Sequence, residues 1–426
     1  MQLTGTKVYG YGMRVCARRL WRASAILLLA EVLAVGESAS VPANFRETYA
    51  SLEQRIDAFD HAVSSQWNGQ TSPVAWSTEL LIANCNRGLS LLRPQAYRST
   101  LRELDRLEGL GVKAVTLCIG FPILYRPFYD FNGDPQDYPR ILNFYRNLAR
   151  EIHSRGLKMI VESSILFLGR YSADSGFKLA EYYPTLRSRQ LIDGRAQNIV
   201  TIAKEVRPDF LNLGSEPDTQ ATLSRQPIFK TPDGYTGIIN DFLNQLHKAG
   251  AGGIPIGAGI GTWQPDGRAF VKGLLSTGIN YLDLHIYPVH RNYLENAITY
   301  ADMAHAAGKQ VAISEAWLLK VGDSELGHIN AASNPTAFSR DAYSFWAPLD
   351  QKFLGALVKY ANWKHLLYCS PYWSRYFWSY VPYDQVKDPG NANSTIQQSV
   401  WTAMYAMLRH ELTSTGQFYS RAIRDK

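Results

Sequence analysis

The chain is poor in the residues that build metal centres and disulfide frameworks. Its 426 residues include only four cysteines and nine histidines. Cys16, Cys85, Cys118 and Cys369 match no zinc-ligand spacing. Cys16 lies in the first 43 residues, so at most one bridge could join the other three, and buried free thiols are an equal alternative. A large excess of either charge is lacking as well, with 44 Lys and Arg against 37 Asp and Glu. The formal net charge is +7, and Lys7, Arg14, Arg18, Arg19 and Arg22 against Glu31 and Glu37 account for +3 of it. The remaining +4 is scattered, so nothing points to a nucleic-acid partner. No apolar run is long enough for a comfortable membrane span, and no low-complexity segment interrupts the chain.

What is present starts with a leader. Arg18, Arg19 and Arg22 precede the apolar run "ASAILLLAEVLAV", and the small residues of "GESASVPA" follow. That order predicts a signal peptide over 1–43, cleaved after Ala43, and a secreted, periplasmic or cell-envelope location with no stable membrane span afterwards. Over 44–71, Phe45, Tyr49, Leu52, Ile56, Phe59 and Val63 recur at steps of four and three. They predict one amphipathic helix packed on the domain that follows.

From about residue 72 to 426, eight strand-like segments alternate with helix-like ones. The strands read "VAWSTELLIA", "KAVTLCIGF", "KMIVESSILF", "FLNLGSE", "IPIGAGIGTW", "INYLDLHIY", "KQVAISEAWL" and "HLLYCSPYW". Apolar strands joined by helices predict a parallel sheet buried on both faces, and eight such units predict a (β/α)₈ TIM barrel. A doubly wound open sheet would carry a nucleotide loop after its first strand, and "LLIANCNRGLSLLRPQ" is not one. Long connections follow strands 3 and 7, Leu168 to about Arg195 and Leu319 to about Pro348. Loops of that length are commonly functional.

Two strand tips carry glutamates: Glu216 in "LNLGSEPDT" after strand 4 and Glu315 in "VAISEAWL" on strand 7. Strand tips of one barrel converge on one mouth. Facing carboxyls, one protonated and one ionised, are what glycosidic bond cleavage requires. Taken singly, Glu216 could equally be a helix-start acid ahead of Pro217, and Glu315 a salt-bridged rim residue. Phenylalanine, tryptophan and tyrosine together make up 12% of the chain, with 10 Trp and 25 Tyr, and supply aromatic faces. Trp76 on strand 1, Trp263 after strand 5 and Trp317 after Glu315 could stack on sugar rings or fill the core. "GAGIG" imitates a dinucleotide loop, but Thr262 stands where its third glycine belongs. Asp283, His285 and His290 suggest a metal, yet strand 1 has no histidines to complete a site, so neither metal nor organic cofactor is expected. Asn393 reads as the N-cap of the last helix.

With these motifs in place, the chain resembles clan A of the glycoside hydrolases over about Ser72 to Leu412. "SEP" implies that Glu216 is the acid/base, and "SEAW" that Glu315 is the nucleophile. "HIY" implies that Tyr287 hydrogen-bonds the nucleophile and that His285 is a cleft residue. "YW" in "SPYWSRYFW" implies that Trp373 floors the sugar subsite, with Trp378 as the fallback. Where the clan has asparagine before the acid/base, this chain has Ser215. The resemblance implies an exported retaining hydrolase of a β-linked oligo- or polysaccharide, with carboxyls about 5–5.5 Å apart. A non-catalytic carbohydrate-binding barrel and a metal-dependent barrel hydrolase are the alternatives.

Overall fold

Strands that are apolar on both sides need cover on both sides, and a ring of helices around a filled barrel provides it. The computed structural model describes residues 40–166, 176–326, 335–388 and 391–424. In it β1 (Ala75–Trp76), β2 (Ala114–Cys118), β3 (Lys158–Glu162), β4 (Phe210–Asn212), β5 (Ile256–Gly261), β6 (Tyr281–Ile286), β7 (Gln310–Ala316) and β8 (Tyr368–Pro371) form one parallel sheet. The order is β1-β8-β7-β6-β5-β4-β3-β2. Its two ends meet through Lys113 N–H to Trp76 O at 2.8 Å, Thr116 N–H to Thr78 O at 2.9 Å and Leu80 N–H to Thr116 O at 2.9 Å. The fold is a (β/α)₈ barrel.

The longer helices are α1 (Arg46–Gln66), α2 (Pro94–Leu110), α3 (Asp137–Ser154), α4 (Ser188–Thr201), α5 (Pro232–Lys248), α6 (Gly267–Leu275), α7 (Tyr293–Ala306), α8 (Ala347–Trp363), α9 (Ala392–Arg409) and α10 (Ser414–Arg424). Helices α2 to α9 follow β1 to β8 in turn. Pro94 opens α2 at a position with no amide partner to lose, and Gly111 closes it at φ 106°. Helix α1 buries Leu52, Ile56, Phe59 and Val63, each contributing about 1.5–3 kcal/mol of hydrophobic stabilisation. It lies on α8, with Phe59 against Tyr360 and ion pairs from Lys352 to Glu53 at 2.7 Å and Lys359 to Asp60 at 2.8 Å. The expected leader through residue 39 lies outside the described residues, as do 167–175 and 327–334 of the two long connections.

Local details depart from the sequence pattern. The strand expected over "VAWSTELLIA" pairs regularly only at Ala75–Trp76, with an isolated bridge at Glu79. Beyond it the buried Glu103 carboxylate accepts the Leu81 and Ile82 N–H groups at 2.9 and 2.8 Å, which turns the chain into 3₁₀ geometry. The N-cap of α9 is Asn391, whose side chain accepts from Ser394 N, rather than Asn393.

The barrel interior is layered. Its lower layer packs Ala75, Ala114, Ile160, Phe210, Tyr281, Ala312 and Tyr368, one residue from each strand except β5. On β5, "GAGIG" turns out to be a barrel strand whose glycines make room for neighbours. A Cβ at Gly257 would stand 2.0 Å from the Tyr281 ring, and one at Gly259 would stand 2.0 Å from the Asp283 carbonyl oxygen. Above the aromatic layer the interior becomes polar, and that is where the candidate site lies.

Because the contact at Gly259 is with backbone, Gly259→Ala should destabilise the fold by about 3 kcal/mol. Gly237→Ala, on α5 with nothing within 4 Å of its added Cβ, should be neutral or stabilising by up to about 1 kcal/mol. Urea denaturation midpoints check the pair. A wild-type midpoint for Gly259→Ala would mean that β5 and β6 are not held at this spacing.

Candidate active site

Strand β6 supplies the axis of the site, because its alternate side chains point inward. Asp283 and His285 therefore stack one above the other inside the barrel. The Asp283 carboxylate accepts the Ser314 N–H at 2.9 Å and the hydroxyls of Ser314 and Ser215 at 2.5 and 2.8 Å, together with the Asn212 amide. His285 sits on this platform. Its Nδ1 lies 2.9 Å from Glu216 Oε1 and 3.8 Å from Glu315 Oε2. Its Nε2 lies 3.1 Å from Glu162 Oε2 and 3.3 Å from Asp283 Oδ2. Four carboxyl groups thus surround one imidazole. The nearest oxygens of Glu216 and Glu315 can be no more than about 6.7 Å apart, the total of their two distances to Nδ1.

Burial separates these groups. The side chains of Glu216 and Glu315 are each 17% exposed, whereas those of Glu162, His285 and Asp283 are 3%, 4% and 0% exposed. The two outer carboxylates are open to a ligand, and the other three groups lie beneath them.

Electrostatics follow from this packing. Burial pulls the His285 pKa down, but the charges of Glu315 and Glu162 and the hydrogen bonds with Asp283 and Glu162 outweigh it and raise the pKa well above its ordinary value. The protonated ring then donates from both nitrogens. Burial also raises Glu162, against the pull of His285. Glu315 is pushed well up by burial and by the negative Glu162, while His285 and the Tyr287 hydroxyl pull the other way. That hydroxyl donates to Glu315 Oε2 at 2.5 Å. Its own pKa is raised by burial and by Glu315.

The loop before Glu216 is braced from below. Arg195, fully buried on α4, donates to Ser163 O at 3.1 Å, Leu213 O at 3.0 Å and Gln220 Oε1 at 2.6 Å. Gln220 in turn donates to Ser215 O. Burial lowers the Arg195 pKa to about 10, which leaves it charged at neutral pH. Glu216 itself adopts φ 52°, ψ 66° as the residue before the short helix Pro217–Ser224. A left-handed conformation at a residue with a long side chain costs about 1–3 kcal/mol, and such strain clusters at functional sites.

The structure divides the residues singled out from the sequence. Glu216, Glu315, Tyr287 and His285 come together. Trp263 and Trp373 flank Tyr287, with ring centroids 6.1 and 5.9 Å from it, and both are partly exposed. Trp263 Nε1 also donates to Asp218 at 3.0 Å, which ties it to the helix after Glu216. The other tryptophans do not join them. Trp76 follows the inward-facing Ala75, so it points outward to the helix layer and is 5% exposed. Trp317 is buried against Tyr376 and Phe377, and Trp378 is buried in the same core. The Ser215 hydroxyl is buried between Asn212 and Asp283. Glu162 went unnoticed in the sequence, although "KMIVES" places it at a strand tip just as Glu216 and Glu315 are placed.

One ligand atom each from Glu162, His285 and Glu315 lies within 4.8 Å of the other two, a grouping that could meet a metal ion. In this arrangement both ring nitrogens of His285 face carboxylate oxygens, Nδ1 that of Glu216 and Nε2 that of Glu162.

The cluster binds protons more tightly folded than unfolded, because His285, Glu162 and Glu315 all have raised pKa values. The His285 contribution is complete below its unfolded value of about 6.5 and is lost as pH rises through its folded value. His285→Gln should therefore cost about 3 kcal/mol near pH 6, and the deficit should shrink toward alkaline pH. Thermal melts of both proteins across that range test this. A deficit independent of pH would show that the imidazolium does not hold the cluster.

No protein-family model matches the chain, and no curated protein matches it in sequence. Solved structures do match it in shape. The exo-β-1,4-mannosidase Op5Man5 from Opitutaceae bacterium strain TAV5 is 14% identical with TM-score 0.46, over 85% of this chain and 61% of that one. The chain thus spans less than two thirds of the mannosidase's length. Virulence factor SghA from Agrobacterium tumefaciens is 12% identical with TM-score 0.47, over 85% of this chain and 98% of that one. A GH1 β-glucosidase from Exiguobacterium antarcticum B7 is 12% identical with TM-score 0.44, over 77% and 86%. In its closed parallel barrel, and in the glutamates carried after β4 and on β7, the chain resembles the clan A glycoside hydrolases.

Proposed function

We propose that the protein is an exported retaining glycoside hydrolase that cleaves a β-linked oligo- or polysaccharide, with Glu216 as acid/base and Glu315 as nucleophile. The observation that carries this reading is that, of the four carboxyls around His285, these two alone are open to a ligand. In the first step Glu315 attacks the anomeric carbon while Glu216 protonates the departing glycosidic oxygen. Glu216 then removes a proton from water, which releases the sugar from Glu315. Tyr287, hydrogen-bonded to Glu315, orients the nucleophile and steadies its charge. The faces of Trp263 and Trp373 on either side of Tyr287 support sugar stacking. The separation limit of about 6.7 Å admits the roughly 5–5.5 Å of direct attack and reaches only the lower edge of the roughly 6.5–9.5 Å that inversion uses.

The experiment uses aryl β-glycosides and a panel of β-linked polysaccharides. Glu315→Ala should lose at least about 10³-fold in turnover, with azide restoring some activity and yielding a glycosyl azide of inverted configuration. Glu216→Ala should keep partial glycosylation by activated aryl glycosides, and azide should rescue its second step with retention. Activity near wild type in both variants on a confirmed substrate would remove the pair from catalysis. Exchanged stereochemistries would reverse the two roles.

A pH profile gives a second check. The nucleophile must be ionised, and burial with Glu162 raises the Glu315 pKa. The acidic limb of kcat/KM should therefore lie above the ordinary carboxylate range. Glu162→Gln removes one of the negative charges responsible and should move that limb to lower pH. An unmoved limb would mean that Glu162 does not act on the reacting group.

A further inference from the structure

The fold also brings together two sulfur atoms that no step of this reaction uses. Cys85, in the 3₁₀ segment Cys85–Leu92 after β1, and Cys118, the last residue of β2, place their Sγ atoms 3.4 Å apart. Both are free thiols. The Gly120 N–H donates to Cys85 Sγ at 3.3 Å, which fixes that sulfur's direction. Cys118 continues the inward row of Ala114 and Thr116 and pairs in register with Glu162. It is partly exposed, whereas Cys85 is buried. A disulfide bond is about 2.05 Å long, so the sulfurs need to approach by about 1.4 Å. Cys369 stands apart: it follows the inward-facing Tyr368 on β8 and belongs to the core outside the barrel.

We propose that Cys85 and Cys118 are an oxidation site, joined by a disulfide bond at the edge of the candidate active site, while Cys369 remains a thiol. The oxidant is a small or protein disulfide, RSSR. The Cys118 thiolate attacks one of its sulfurs, forming a mixed disulfide and expelling RS⁻. The Cys85 thiolate then attacks the Cys118 sulfur, the protein disulfide forms, and the second RS⁻ leaves. Two protein thiols are oxidised, one RSSR is reduced to two RSH, and the two cysteine protons pass to the expelled thiolates. Cys118 takes the first step because it is the exposed member. The contact with Cys85, burial, and the charges of Glu162 and Glu315 push its thiol well up, so exchange in the folded chain is slow. The bond would fasten the turn after β1 to the tip of β2. That turn carries Asn84, which donates to Glu79 at 3.2 Å and to the Tyr372 hydroxyl at 3.1 Å.

The test uses the full-length chain and does not depend on the glycosidase reading. One sample is incubated natively with excess glutathione disulfide, and a second is refolded from denaturant in a glutathione redox buffer. Both are alkylated under denaturing, non-reducing conditions, digested and mapped by mass spectrometry. The expected result is a linked pair of peptides holding Cys85 and Cys118, separated by dithiothreitol, with Cys369 alkylated. The link should persist in Cys369→Ser and vanish in Cys85→Ala. Reduction of the bridge should lower Tm by about 5 °C. Separately alkylated Cys85 and Cys118 in both samples, or a bridge that includes Cys369, would overturn the proposal.

Discussion

The structure above the barrel's aromatic layer depends on one buried imidazole among four carboxyl groups. Without the positive charge of His285, Glu162, Glu216, Asp283 and Glu315 would repel one another in a space that water hardly enters. Attraction alone is not enough, since burying charges carries a large desolvation cost that only well-placed hydrogen bonds offset. Asp283 meets that condition with four donors beneath the ring. This explains why serines and asparagine, rather than apolar residues, occupy the middle of a barrel whose lower layer is apolar and aromatic.

The same arrangement separates a rigid base from a usable surface. Glu162, Asp283 and His285 are shut in, while Glu216 and Glu315 stand at the boundary where a ligand can arrive. Their positions are held from different sides. Glu315 is part of β7 and receives the Tyr287 hydroxyl. Glu216 lies beyond the regular end of β4, on strained backbone, and depends on the Arg195–Gln220 brace below it. Among the described residues Arg195 meets no carboxylate, an unusual placement of a buried charge. Its hydrogen bonds to the carbonyls after β3 and β4 give it a positioning role that a neutral side chain of similar size could not fill.

Much of this architecture could be read from local pattern. Alternating apolar strands and capped helices specify eight β/α units, because each element has to bury a recognisable face. The tips of β4 and β7 stood out because a glutamate at the end of a buried strand is chemically conspicuous. The face of α1 was equally plain, since Leu52, Ile56, Phe59 and Val63 keep helical spacing. By contrast, the direction of a lone side chain depends on strand parity and on partners far away in the chain. Trp76 and Trp317 have the composition of a sugar platform and the position of core fillers.

By itself, then, the sequence determined the barrel, the order of its elements and the two outer glutamates, for these follow from periodicity and from residue type at strand ends. Only the tertiary structure decided that Ser215 turns inward to Asp283, that Glu162 joins the cluster through His285, and that Cys85 meets Cys118. The residues of each of these contacts come from different strands or turns. Barrel closure and strand register set their distances, and no local segment of sequence contains that information.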